Sequence, residues 1–158
     1  MATAKTNAMR ILERAHIPYL PHTYEHKDGA FDGVAVATKL GQPLEQVFKT
    51  LVTVGHSKQY FVFVIPVAKE LNLKKAAKSV GEKSVEMIHV KDINKVTGYI
   101  RGGCSPIGMK KLYRTVVDSS CLQIPSIVVS GGKIGFQVEL KPEDLLRVVP
   151  AETAEIAE

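Results

Sequence analysis

The chain has 158 residues, 45% hydrophobic and 23% charged, with 21 basic against 16 acidic side chains and a formal net charge of +5. That balance excludes a disordered chain and fits a single domain over residues 1–158, a size that buries roughly two-thirds of the unfolded surface. The longest apolar runs, such as residues 60–65, are too short to cross a bilayer, and residues 1–7 lack a signal-peptide apolar core, so a cytoplasmic protein without membrane contact is expected.

Helices and strands alternate along the chain. Ala8, Ile11, Leu12 and Ala15 recur at helical spacing behind Thr6, a residue suited to cap a helix. Residues 19–23 read as a short extended piece, and residues 34–40 as a helix capped by Asp32 and ended by Gly41. Residues 48–54 and 59–65 are strands of a hairpin turning through Gly55-His56-Ser57-Lys58. A helix follows over residues 73–80 and a shorter one over 92–96, ending near Gly98. Residues 115–118, 127–130 and 135–140 are strands, with Gly131-Gly132 closing the last two into a tight hairpin. Pro142 opens a final helix whose Leu145, Leu146, Val148 and Val149 are expected to be buried. The pattern predicts one α/β domain: a mixed, curled, barrel-like sheet surrounded by helices.

Two glycine pairs carry the chemistry. Gly102-Gly103-Cys104-Ser105-Pro106 and Ser130-Gly131-Gly132 can bring backbone N–H groups close to a carbonyl oxygen or a phosphate, because glycine has no Cβ to obstruct the approach. Lys49, inside an apolar strand, adds one ammonium. Lysines at 74, 75, 78 and 83, and the cluster Lys110, Lys111 and Arg114, form two basic groups that suit an RNA or nucleotide partner; the acidic segment from Glu152 to Glu158 is expected to lie away from them.

Cys104 and Cys121 are expected to be free thiols in a reduced compartment, and with no histidine placed beside Cys104 a small loop residue is the better reading than a nucleophile. His22 and His26 have the spacing of a helical metal pair, but Pro21 and the turn at residues 27–29 oppose a helix and no third ligand is evident. No metal site and no cofactor is predicted.

Several blocks, taken in order, resemble the YbaK family: Phe48-Lys-Thr-Leu51, Leu71-Asn-Leu-Lys-Lys-Ala-Ala-Lys78, Val85-Glu-Met87, Thr97-Gly-Tyr99, the stretch Gly102-Gly103-x-Ser105-Pro106-x-Gly108-x-Lys110-Lys111, and Val129-Ser-Gly-Gly-Lys133. These are free-standing aminoacyl-tRNA deacylases related to the editing domain of bacterial prolyl-tRNA synthetases, and the resemblance covers nearly the whole chain. It implies a trans-editing enzyme that clears cysteine from Cys-tRNA(Pro), and often from Cys-tRNA(Cys), with aminoacyl-tRNA and prolyl-tRNA synthetase as partners and no DNA. In this family the substrate's own thiol attacks its ester, so the protein supplies positioning and charge stabilisation alone.

By the same resemblance Lys49 holds the terminal adenosine and fixes the ester. Gly102, Gly103, Cys104, Ser105 and Pro106 line the aminoacyl pocket, with Gly103 and Ser105 supplying oxyanion or amine contacts; Ser130, Gly131 and Gly132 close another wall, and Tyr24 contacts the terminal nucleotide. Two positions depart from the relatives: Cys104 stands for a branched apolar residue, and Gln137 for a position that is often Asp or Ser. Both leave the choice between cysteine and alanine open, with Ala-tRNA(Pro) deacylation by activated water as the alternative. A small nucleotide-ester hydrolase and a non-catalytic RNA-binding module are the readings from other classes.

Overall fold

A computed structural model describes residues 5–25 and 33–158. Its first helix, α1 (Asn7–Arg14), begins where expected: Thr6 Oγ1 accepts from Met9 N at 3.2 Å, and Ala8, Met9 and Leu12 are buried on one face. A short strand β1 (Leu20–Thr23) and helix α2 (Gly33–Leu40) follow; Gly41, at φ +67°, takes the left-handed conformation that ends α2. The expected cap Asp32 lies outside the described residues.

Strands β2 (Phe48–Gly55) and β3 (Tyr60–Pro66) form the expected hairpin, in register from Phe48 opposite Pro66 to Val54 opposite Tyr60. Helix α3 (Leu73–Ser79) is capped by Asn72, whose side chain accepts from Lys75 N at 3.0 Å. Next come β4 (Val85–Met87), helix α4 (Ile93–Thr97), and strands β5 (Arg114–Asp118), β6 (Ile127–Ser130) and β7 (Phe136–Leu140). Helix α5 (Pro142–Val148) starts on its proline, buries Leu145, and leads to the last strand, β8 (Ala151–Ala154).

The strands form two sheets rather than one curled, barrel-like sheet. One has the order β1-β7-β6 and is antiparallel; the other has the order β4-β2-β3-β5-β8, with β3/β5 and β5/β8 parallel. Among the described residues one isolated parallel bridge, Val47 to Val128, links them. The central strand β3 is buried on both faces, which explains its unbroken apolar run in place of an alternating one. One core, built on Leu12, Val62, Val64, Ile127 and Val138, joins the two sheets to α1 and α5; a second packs Phe61, Phe63 and Ile65 against α3 and Ile156.

Two further expectations are corrected. The β6–β7 connection is a five-residue loop, 131–135, closed by Gly131 N donating to Phe136 O at 2.9 Å, and not a two-residue turn. The acidic C-terminal segment does not stand clear of the basic groups. It enters the sheet as β8, where Glu152 pairs with Arg114 at 2.8 Å and Glu155 with Lys75 at 2.5 Å. Asp118 anchors this segment: its Oδ1 accepts from the N–H groups of Ile156 and Ala157, both at 3.0 Å. Among the described residues no helix is long and apolar enough to cross a membrane.

Candidate active site

Where the two sheets meet, the start of β2 runs beside β6. Extending the Val47–Val128 bridge by two residues brings Lys49 level with Ser130. A cavity of about 130 Å³ opens there. Six of the predicted site residues line it: Tyr24, Lys49, Gly102, Cys104, Ser130 and Gln137; Phe48, Thr50, Val67 and Phe136 complete much of the wall.

Lys49 lies in register with Ile65 and is half-buried, and its ammonium makes no hydrogen bond or ion pair with any described residue. Next to it, the Thr50 hydroxyl is buried without a hydrogen-bond partner. Both are polar groups whose needs the protein leaves unmet, a condition characteristic of a ligand site. The backbone of Tyr24 is fixed by its N–H donating to Gly135 O at 3.0 Å.

The first glycine pair divides its work. Gly102, at φ +86°, is the third residue of a turn closed by Gly103 N donating to Ile100 O at 2.9 Å, a conformation that a side chain would strain. Gly103 does not line the cavity. A Cβ there would lie 2.9 Å from Ile134 N and 3.1 Å from the Lys133 backbone, so Gly103 exists to let the two glycine loops pack together. The N–H groups of Gly102 and Cys104 donate to nothing among the described residues, and both residues line the cavity.

Ser105 and Pro106 are also placed outside the cavity. Ser105 is fully buried, its Oγ accepting from Ile107 N at 3.2 Å, so it braces the loop rather than meeting substrate; Pro106 lines a separate hollow beside Ile11. Gly131 and Gly132 support the second loop: Gly132, at φ +94°, donates to Ser130 Oγ at 3.2 Å and rests against the Tyr99 ring.

Burial pushes the Cys104 thiol up to about 11, against a smaller opposing effect of a hydrogen bond with Thr97. At neutral pH it is a protonated, poorly nucleophilic group. Gln137 is 6% exposed, and its Oε1 accepts from Gln42 Nε2 at 2.9 Å. The cavity lining contains no histidine and no carboxylate among the described residues. His22 sits on β1 and bonds Glu139 at 2.7 Å; His26 lies outside the described residues, and no three His, Cys, Asp or Glu side chains converge among those described.

Three structurally important residues are missing from the predicted site, although two of them stand in the block Thr97-Gly-Tyr99. Gln42 falls in the connection between α2 and β2. Tyr99 spans both glycine loops, its hydroxyl donating to Ile107 O at 2.6 Å while its ring meets Gly132. Thr97 ends α4 and touches Cys104.

A small cavity whose described lining holds one ammonium without a partner, backbone donors, and neither histidine nor carboxylate is suited to binding a ligand oxygen. The chain belongs to the aminoacyl-tRNA editing domain family, whose model matches residues 28–148. It is 47% identical over 152 residues, 96% of this chain and 93% of the relative, to a protein of Enterococcus faecalis named "Putative Cys-tRNA(Pro)/Cys-tRNA(Cys) deacylase EbsC". A proline–tRNA ligase of Fervidobacterium nodosum is 30% identical over 96 residues, which is 61% of this chain and 16% of that enzyme. The fold is shared with a crystal structure described as "a putative trans-editing enzyme for prolyl tRNA synthetase", with a TM-score of 0.81, 22% identity, and coverage of 98% of this chain and 99% of that one.

Proposed function

We propose that residues 1–158 form one editing domain that acts in the cytoplasm, removing cysteine from Cys-tRNA(Pro) and from Cys-tRNA(Cys), with prolyl-tRNA synthetase as a docking partner. Near full-length identity of 47% with the Enterococcus faecalis protein that bears a Cys-tRNA(Pro)/Cys-tRNA(Cys) deacylase name is the observation that carries this reading. Proline and cysteine are similar in volume, and a pocket separates such near-isosteres by only about 1–3 kcal/mol, so discrimination falls to a later chemical step.

The substrate's thiol performs that step. Its sulfur attacks the ester carbonyl, a C–S bond forms, and the C–O bond to the ribose breaks. The proton lost by sulfur ends on the departing ribose oxygen, and the amino acid leaves as a strained thiolactone. Lys49 and the N–H groups of Gly102 and Cys104 stabilise the negative charge that develops on oxygen. Cys104 itself stays a neutral thiol and takes no covalent part.

Incubation of purified protein with cysteinyl-, alanyl- and prolyl-tRNA(Pro) tests the reading. Rapid loss of the cysteinyl ester alone supports it. Preferential loss of alanine transfers the assignment to attack by activated water, and stability of all three esters refutes deacylation.

A further inference from the structure

The deacylase reading leaves the path of the polynucleotide open, and the charge distribution addresses it. Between residues 93 and 117 the sequence has no aspartate or glutamate, yet it carries Lys95, Arg101, Lys110, Lys111 and Arg114. The fold sorts these cations. Arg114 is matched by Glu152, just as Lys75 of the other basic group is matched by Glu155. The remaining lysines of that other group, Lys74, Lys78 and Lys83, belong to or follow α3, which packs on a core none of whose members lines the cavity.

Arg101, Lys110 and Lys133 differ. Like Lys74, Lys78 and Lys83, they are exposed and make no ion pair among the described residues; unlike them, they frame the turn at residues 98–103 that carries the cavity-lining Gly102. Arg101 is part of that turn. Lys110 donates its N–H to Thr97 O at 2.8 Å, and its Cβ lies 3.7 Å from where a Gly98 Cβ would stand. Lys133 has its backbone 3.1 Å from where a Gly103 Cβ would stand, and its ammonium lies 5.8 Å from the ring centre of Phe136, a cavity wall. At the tip of the turn, Ile100 is 54% exposed and offers an apolar surface to a base. Unpaired cations gathered around a cavity wall raise the local concentration of a polyanion there.

We infer that Arg101, Lys110 and Lys133 hold the phosphates of the unpaired 3′ end of the tRNA, immediately before the aminoacylated nucleotide, and that the lysines at 74, 78 and 83 do not. This inference rests on the deacylase reading for the identity of the RNA, but its test does not depend on turnover. Binding of an uncharged acceptor hairpin with its 3′ overhang is measured against salt for the wild type, for Arg101→Gln/Lys110→Gln/Lys133→Gln, and for Lys74→Gln/Lys78→Gln/Lys83→Gln. The first triple variant is expected to bind at least tenfold more weakly and to flatten the log–log salt slope by about 2, since each single-strand phosphate contact contributes about 0.7. The second triple variant is expected to match the wild type.

Turnover of 3′-O-cysteinyl-adenosine, which lacks those phosphates, is expected to be unchanged in the first variant. Equal loss of binding in the two triple variants, an unchanged salt slope, or equally tight binding of a blunt hairpin without the overhang overturns the assignment. So does a parallel loss of turnover on the nucleoside ester, which would place these cations in the chemistry. If the wild type binds as described yet leaves cysteinyl-tRNA intact, the RNA surface stands and the deacylase reading falls.

Discussion

Gln42 Nε2 donates to Gln137 Oε1 at 2.9 Å, while the return contact from Gln137 Nε2 to Gln42 Oε1 is 3.5 Å long. A residue in the α2–β2 connection thus orients a side chain of the cavity wall. The shorter contact occupies the Gln137 carbonyl and leaves amide hydrogen on the nitrogen, so the wall offers a donor where a carboxylate would offer only acceptors.

That orientation yields opposite expectations for two charged substitutions. Gln42→Lys can still donate to Gln137 Oε1 and is expected to keep kcat/KM within about threefold. Gln42→Glu can only accept, turns the Gln137 amide around, and is expected to lose about tenfold, the equivalent of one hydrogen bond of about 1.4 kcal/mol. Steady-state kinetics on cysteinyl-tRNA reads the difference. An equal fall in both variants would reduce the pair to a packing contact.

Lys49 has no partner among the described residues, so its removal leaves no orphaned charge. Lys49→Ala is expected to fold normally, with a melting temperature within a few degrees of wild type, and to lose about 10²-fold in kcat, the scale of one preorganised electrostatic contact. Lys49→Arg is also expected to be impaired, because a planar fork does not replace a compact ammonium in a small cavity. Near wild-type turnover in Lys49→Ala would remove it from the chemistry.

The thiol of Cys104, raised to about 11, is almost wholly protonated at neutral pH. In a Cys121→Ala background, alkylation at pH 7.5 is expected to be slow and to accelerate steadily toward pH 10, in contrast with a free thiol of pKa roughly 8.5. Cys104→Ala is expected to retain turnover on cysteinyl-tRNA within a few-fold. A trapped acyl group on Cys104 would replace the substrate-thiol scheme with a covalent one.

Much of the fold was legible because local signals agreed with it. Thr6, Asn72 and Pro142 start helices where their side chains predict, and Gly41 and Gly98 end them in left-handed conformations. The division into two sheets was not legible, since it depends on non-local pairing: β5 joins β3, and β8 joins β5, in parallel across long crossovers that periodicity does not encode. Strand β8 was hidden by its acidic composition, which pairs with Arg114 and Lys75 instead of avoiding them. At the site, motifs identified the loops but not the direction of each residue. Gly103 and Ser105 share the motif with Gly102 and Cys104 yet face the protein, a distinction set by the contact between the loops.

Asp118 gives a pH dependence of stability. Burial pushes its carboxyl up, but hydrogen bonds from Ser120, Ile156 and Ala157 outweigh that effect and hold it below its ordinary value of 3.8. Its folded pKa is therefore depressed, so the stabilisation is fully present above the unfolded value and is lost as pH falls through the folded one. Asp118→Asn is expected to cost about 2–3 kcal/mol at pH 7, roughly 5–10 °C in melting temperature. The gap between variant and wild type is expected to narrow below about pH 4. A gap that stays constant down to pH 3 would show that the charge on Asp118 does not anchor β8.

The nucleophile itself is tested by changing one atom of the substrate. In the substrate-thiol scheme no protein base activates a hydroxyl or a water, so reaction depends on the acidity of the attacking group. A thiol of pKa roughly 8.5 is several per cent ionised at neutral pH, whereas an aliphatic hydroxyl is essentially un-ionised. Seryl-tRNA(Pro) is therefore expected to be deacylated at least 10²-fold more slowly than cysteinyl-tRNA(Pro), at similar KM. The cysteinyl rate, corrected for uncatalysed hydrolysis, is expected to rise with pH toward the substrate thiol's pKa and then level off. Similar rates for the two esters, or a flat pH profile, would assign the attack to water and leave Lys49 and the glycine loop as an oxyanion site alone.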